Sequence, residues 1–528
     1  MSYFNSDSAL QAYLSELILP THLRGDPGKS SIQDILNGYN TPGISVAVLP
    51  PSGNAEYSKT PLITSAFGLR DVGDPASVID PETIFQAASI SKPFTALAVL
   101  RLVAQGKLDL DTDIGEYLAD IKRDSLHHSA LVNPATAPRT PITLRLLLSH
   151  KSGLSTVAGF DGYNAQLTPM PSTISILNGT APSNSLPIRA FTLPGLGTSY
   201  SGGGTTLVQH ILTLVTGKDF PTLMKELVLE PLGMSRSTYE QQASRVNFAC
   251  GHPTAYTGFH GGTECMIYPE MAAAGLWTTP SDILKGLRAV YDCLSGSNQS
   301  FLPPALVADS FTATNGFGKY GIGWRVQTLS TDEGARKRRM VIEHGGANQG
   351  FRCWVLLVGD VPVAGEPLGV DSKPPLGIAV MTNSDHGLQL GGRIMTAFGW
   401  AVGEPITLGG VASEQYFPVL ATTPEEEGRV ARQIEGWQAW AGDWRMKEGG
   451  VALTIGEEDG RPVVSMLGLH QLVLLPAAVH HTSPEEIKVW VVRDMDVAVI
   501  MKDAGKAVEI RQNEMEYAAE RVVPSGDT

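Results

Sequence analysis

The sequence predicts an α+β (mixed α/β) protein: an antiparallel sheet flanked by helices, a helical subdomain inserted between its strands, and a separate all-β domain at the C-terminus. Three observations predict it. Strand-like runs occur early, at 43–49 and 61–68, and again late, at 323–327, 339–344, 351–358 and 376–381. Between them, over about 105–240, the pattern is helical and loop-rich. After Trp437, short alternating strands recur at regular spacing with turns between them. One sheet assembled from both ends of the first domain, with helices against it, satisfies that order.

Taken in order, Leu10, Tyr13, Leu14 and Leu17 fall at helical spacing, and a Gly/Pro/Ser break follows. The first strand, Gly43-Ile-Ser-Val-Ala-Val-Leu49, contains Gly43-x-Ser45-x-Ala47, a near miss to a nucleophile elbow. An elbow must join a strand to a helix, so Ser45, inside the strand, reads as structural. Phe94 to Ala104 is apolar on most sides, as a helix buried between layers would be, and Gly106 supplies its stop. Thr143 is an N-cap for the helix leading to His150. The Pro/Ser/Asn-rich excursion at 156–187 reads as a structureless lid, binding loop or surface insertion. A helical pattern covers 391–402. The expected domains are 1–420, with its helical subdomain at about 105–240, a linker at 421–436 around Thr422-Thr-Pro-Glu-Glu-Glu-Gly428, and 437–528. The last is expected as a small antiparallel barrel, lipocalin-like, or a sandwich, and carries no chemistry legible in its residues.

A net charge of -14 and a pI near 5.3 argue against a nucleic-acid partner, which would need a basic face. No run of eighteen apolar residues is present, so no membrane partner is expected. The N-terminus, Met1-Ser-Tyr-Phe-Asn-Ser-Asp-Ser-Ala-Leu10, does not read as a secretory signal. The four cysteines, Cys250, Cys265, Cys293 and Cys353, show no C-x-x-C pairing and are too sparse for a disulfide framework. The expectation is a cytoplasmic protein with reduced thiols. His252 and His260 lack the spacing of a ligand set, so no metal and no cofactor are expected.

Chemistry concentrates at Phe85-Gln86-Ala87-Ala88-Ser89-Ile90-Ser91-Lys92-Pro93-Phe94. In a helix, Ser89 and Lys92 fall on one face. A serine hydroxyl needs a base, and a desolvated lysine is neutral enough to serve. Pro93 is a local objection, because it removes a donor that would bond the Ser89 carbonyl; a tightened first turn relieves it.

Ala88-Ser89-Ile90-Ser91-Lys92-Pro93-Phe94 resembles the S-x-x-K motif of the penicillin-binding-protein and class C β-lactamase serine hydrolases, a family that also includes esterases, D-peptidases and acyltransferases. Gly106-Lys-Leu-Asp-Leu-Asp111, Ile142-Thr-Leu-Arg-Leu-Leu-Leu-Ser-His-Lys-Ser-Gly-Leu154 and Ala274-Gly-Leu-Trp-Thr-Thr-Pro-Ser-Asp-Ile283 resemble further blocks of that family in the same order. The resemblance implies a β-lactamase-like transpeptidase fold and an acyl-serine mechanism. It implies that Tyr200, in Tyr200-Ser201-Gly202 where the family has Y-x-N, shares the proton of Ser89 with Lys92 as phenol or phenolate. It places the third motif, K-T-G in the family, at His344-Gly345-Gly346, and the oxyanion hole at the backbone amides of Ser89 and Ala347. Gly202, Gly345 and Gly346 would line the substrate. Gly202 lacks the amide that would hold a lactam, and His344 replaces a fixed cation with one present only when protonated. The leaving group would take its proton from Tyr200 or His344.

The function expected is hydrolysis of a small-molecule ester or amide. The alternatives are an acyltransferase or peptide-cyclising enzyme of a biosynthetic pathway, a β-lactamase or D-aminopeptidase, and a catalytically silent scaffold. The residues leave the acyl group and the oligomeric state open.

Overall fold

The computed structural model describes residues 6–16, 31–50, 60–118, 141–154, 162–164, 170–190, 192–241, 246–253, 266–295, 300–313, 320–330, 337–363, 368, 372–402, 417–418, 437–446, 452–458, 461–466, 469–478, 488–492, 498–502, 507–512 and 515–522. They fall into two compact units that divide between Gly391 and Gly392.

In the first unit, α1 (Asp7–Glu16) buries Leu10 and Leu14. The short α2 (Ile32–Gly38) starts on a capping box in which Ser31 and Asp34 bond each other's backbone amides. Then come β1 (Gly43–Leu49), β2 (Ile63–Gly68), β3 (Phe85–Ala88) and α3 (Ser91–Ala104). Ser45 lies mid-strand in β1 and is buried there, as its position in the pattern required. The helical block holds α4 (Leu144–Leu148), β4 (Tyr163–Asn164), α5 (Thr173–Asn178), α6 (Gly202–Thr216) and α7 (Phe220–Met224). The excursion at 156–187 is therefore not structureless: α5 forms inside it. Ser172 caps that helix and Gly179, at φ 60°, ends it. Short apolar spacing within a polar stretch hid it. Residues 155–161 and 165–169 of the same excursion lie outside the described set.

After β5 (Met266–Ile267), which pairs with β4, come α8 (Met271–Ala274), β6 (Leu276–Thr278), α9 (Pro280–Asp292) and α10 (Pro304–Ser310). The late strands are β7 (Arg325–Ser330), β8 (Lys337–Asn348), β9 (Phe351–Pro362) and β10 (Leu376–Thr382), and α11 (Gly387–Val402) follows. The main sheet runs β2-β1-β10-β9-β8-β7, antiparallel throughout, with Val46 opposite Val380 at its centre. The two ends of the unit thus meet in one sheet, as the strand order predicts. All seven residues of β1 and of β10 are buried, so both faces are covered. Ile283, Leu284 and Leu287 of α9 are fully buried, and α9 packs on β1, β9 and β10.

In the second unit, β11 (Phe417–Pro418) pairs with the end of one strand of an all-antiparallel sheet, at Ala477 and Ala478. Its strands are β12 (Gly442–Met446), β13 (Ala452–Glu458), β14 (Arg461–Met466), β15 (Leu469–Ala478), β16 (Lys488–Val492), β17 (Ala498–Lys502), β18 (Ala507–Gln512) and β19 (Met515–Arg521). β12 pairs with β19 and β15 with β16, so the eight strands close into a barrel. Trp444, Leu453, Ile455, Val464, Val499 and Val508 are buried. The predicted linker falls outside the described residues.

Candidate active site

Ser89 sits in the two-residue turn between β3 and α3, not in the helix where the motif spacing alone would place it. The chain reaches that turn through Ala88 at φ 48°, a left-handed conformation that costs an alanine about 1 kcal/mol. Ser91 compensates: its hydroxyl donates to the Ala88 carbonyl at 2.5 Å and accepts from Leu276 N at 2.9 Å, pinning the turn to β6. Pro93 raises no conflict, because it occupies the third helical position, where no intrahelical donor is required. The Ser89 carbonyl instead accepts from Lys92 N at 3.0 Å, the tightened first turn.

Lys92 reaches back from α3, with Nζ 2.9 Å from Ser89 Oγ and 2.8 Å from the Ala273 carbonyl of α8. It is 3% exposed, and burial pushes its pKa down from 10.5 to about 7. Near neutral pH a large fraction of Lys92 is therefore an uncharged amine in contact with the serine. Tyr200 also hydrogen-bonds Ser89, and Lys92 Nζ stands 4.9 Å from the centre of its ring. Burial pushes the Tyr200 phenol well above its ordinary 10, so the group is a phenol and not a phenolate. Of the two groups, Lys92 is the one that burial leaves able to take up a proton near neutral pH.

His344 lies on β8 and is 5% exposed. Burial, with the positive charge of Lys92, pushes its pKa down to about 3. Its Nδ1 is 2.6 Å from the Gly345 carbonyl, which can only accept, so Nδ1 carries the proton. Nε2 is a buried bare lone pair with no hydrogen-bond partner among the described residues. The ring centres of Tyr200 and His344 are 6.2 Å apart. His344 is thus a neutral acceptor. In that state it carries no positive charge, and its one ring proton is engaged with the Gly345 carbonyl.

β7 pairs with β8 only as far as Glu343, opposite Arg325, and β8 runs on to Asn348 against β9 alone. Gly345 and Ala347 are exposed on this extension, while His344, Gly346 and Asn348 are buried. Gly346 lies against the end of β3, just before the Ser89 turn: a Cβ there would collide with the Ala87 carbonyl oxygen and Cys353 Sγ. The Asn348 amide completes the junction, donating to Gln86 Oε1 at 2.7 Å and the Ala274 carbonyl at 3.0 Å. These ties bring the β8 extension carrying Ala347 to the turn carrying Ser89. Gly202 is the first residue of α6, buried, and offers no side chain to a ligand.

Sequence reasoning assigned no role to four groups found here. His150 stacks on Tyr200 with ring centres 4.4 Å apart, and Tyr320 stands edge-on to His150 at 4.8 Å. The Ala273 carbonyl holds Lys92, and Glu270, at the start of α8, is wholly buried. His150 lies inside a motif block and could have been flagged; Ala273, one residue before the block that starts at Ala274, and Tyr320 and Glu270 carry no signal. Among the described residues no group of three His, Cys, Asp or Glu could hold a metal ion, and no helix is long and apolar enough to cross a membrane.

An antiparallel sheet with a serine, a buried lysine and a tyrosine at its helical face defines the class of acyl-serine hydrolases with an S-x-x-K nucleophile. The Beta-lactamase family model matches residues 29–394, and the chain belongs to that family. Esterase EstB of Burkholderia gladioli is 25% identical over 54% of this chain and 74% of its own length. Protein flp of Staphylococcus aureus (strain MW2) is 24% identical over 47% of this chain, which spans 43% of that protein. The octameric penicillin-binding protein homologue from Pyrococcus abyssi superposes with a TM-score of 0.51 at 18% identity, covering 92% of this chain and 97% of that one. SurE does so at 0.50 and 19%, covering 98% and 100%. Both structures share the fold.

Proposed function

We propose that the protein hydrolyses a small ester or amide through an acyl intermediate on Ser89. The observation that carries this is the 2.9 Å contact between Ser89 Oγ and a lysine that burial leaves partly uncharged near neutral pH. Lys92 takes the serine proton as Oγ attacks the acyl carbon. The oxyanion forms against the amides of Ser89 and Ala347, donors of a kind typically worth ~3 kcal/mol each. Tyr200, a phenol bonded to Ser89, passes a proton to the leaving group and is refilled from Lys92. The bare Nε2 of His344 accepts from the water that releases the acyl group. The esterase EstB supports the ester reading. So do Gly202 and neutral His344, which offer neither the amide nor the cation that would grip a lactam or a carboxylate. The intact contacts of Ser89, Lys92 and Tyr200 speak against a silent scaffold.

Incubation with p-nitrophenyl acetate and a fluorophosphonate probe tests this. The wild type is expected to turn over the ester and take the label, and Ser89→Ala to do neither. Labelling that survives the substitution refutes the nucleophile. Added alcohols or amines, scored for capture of the acyl group, separate transfer from hydrolysis with the same residues at work.

A further inference from the structure

His150 holds a position that glycine would occupy without strain. Helix α4 ends in a Schellman motif: Lys151 N donates to the Leu146 carbonyl at 2.8 Å and His150 N to the Leu147 carbonyl at 3.2 Å. The residue at the turn of that motif must be left-handed, and His150 sits at φ 57°. A residue with a Cβ there costs about 1 kcal/mol or more. The side chain is also 1% exposed, so an imidazole has been buried at a strained position.

What the imidazole touches explains it. The His150 carbonyl accepts from Ser199 N at 2.7 Å, and its Nδ1 accepts from Ser201 N at 3.2 Å. Its ring lies on the ring of Tyr200. One residue therefore grips the chain immediately before Tyr200, immediately after it, and on the side chain itself. Because Nδ1 accepts, the proton of the neutral ring is on Nε2, the tautomer opposite to that of His344. Burial, with Lys92 and His344 nearby, keeps His150 uncharged, so its grip adds no charge beside Lys92.

From this geometry we infer that His150 is a positioning residue for Tyr200: it sets the phenol on Ser89 and has no direct part in the bond changes. The role rests on the acyl-serine reading of the site. A displacement of the phenol by about 1 Å typically lowers a rate by about 100-fold.

The test is a double-mutant cycle read by kcat, KM and fluorophosphonate labelling rate. His150→Gly keeps the left-handed turn and the carbonyl grip but removes the ring and Nδ1. It is expected to lower kcat and labelling about 10- to 100-fold with KM within about twofold. In a Tyr200→Phe background the same change is expected to lower the remaining rate less than about twofold, because the hydroxyl that His150 positions is already gone. His150→Asn tolerates the turn and offers Oδ1 to Ser201 N, and recovers about fivefold or more over glycine; it also serves if the glycine variant folds poorly. Equal losses in both backgrounds, or an unchanged kcat in His150→Gly, overturn the inference while leaving the nucleophile standing. A wild type that takes no label overturns the acyl-serine reading itself, and the inference with it.

Discussion

Lys92 and Glu270 lie at opposite ends of one short helix and have been driven to the same place from opposite sides. Burial brings the lysine down from 10.5 to about 7 and the glutamate up from 4.5 to about 7. The difference is one of partners. Lys92 Nζ meets Ser89 Oγ and the Ala273 carbonyl, so its lone pair or its protons are always placed. Both carboxylate oxygens of Glu270 lack a hydrogen-bond partner among the described residues. A dry pocket makes any ionisable group neutral, whereas chemistry needs a second atom at hydrogen-bond distance. The lysine is thus set against a serine hydroxyl, and the glutamate against no hydrogen-bonding group among the described residues.

The largest effect that would break this contrast is at Lys92. Replacing it by Met is expected to cut the labelling rate of Ser89 by about 10²–10⁴-fold. It should also raise stability by roughly 2–4 kcal/mol at pH 6, where the folded chain otherwise buries a charge. Denaturant melts at pH 6 and pH 10 check the second half: the folded lysine holds fewer protons than the unfolded one between about 7 and 10.5, so the advantage fades as pH rises through that window. A Lys92→Met protein that labels normally would erase the distinction.

In the wild type, kcat/KM is expected to rise about tenfold per pH unit below 7 and level off above it, because the base acts when deprotonated. A flat profile between pH 5 and 8 would show that Lys92 is not the titrating base.

Gln209 holds the start of α8, between Glu270 and the Ala273 carbonyl, since its Oε1 accepts from Ala272 N at 2.8 Å and its Nε2 donates to the Pro269 carbonyl at 3.0 Å. Gln209→Leu unhooks the start of α8, with an expected loss of about 1–3 kcal/mol in stability and about tenfold in kcat as the Ala273 carbonyl drifts from Lys92. A stability loss with no change in rate would mean that α8 does not hold the lysine.

The smallest effect on rate is expected at Glu270. Glu270→Gln should leave kcat within about twofold, yet stabilise the protein by up to about 3 kcal/mol at pH 8. Below pH 4.5 the carboxyl is protonated in both states and the gain vanishes; it grows between 4.5 and 7, where only the unfolded chain ionises. A rate loss of more than tenfold would put Glu270 beside Lys92 as part of the machinery.

The legible part of this site is the part carried by short spacing. Ser89 and Lys92 are three residues apart, His344 to Ala347 are consecutive, and the short apolar runs at 43–49 and 376–381 announce their own sheet. The spacing of Ser89 and Lys92 does not reveal that Ser89 stands in a turn before the helix, because the left-handed Ala88 has no mark in the residues: alanine there is held by Ser91 and β6, not by its own preference. The Ala273 carbonyl and Glu270 stand some 180 residues beyond Lys92 in the chain. No local pattern encodes which backbone carbonyl will face a lysine after folding, or which carboxylate will be left dry.

The position of β1 between β2 and β10 has a consequence for how the protein is made. β1, one strand in from the edge, emerges early from the ribosome, but its neighbour β10 follows roughly 330 residues later, a wait of roughly 15–65 s at ordinary rates of synthesis. Ser89 and Lys92 are likewise translated long before β6, α8 and β8 exist to hold them. Ser89 and Lys92 thus come into register with those elements only when most of the unit has been translated.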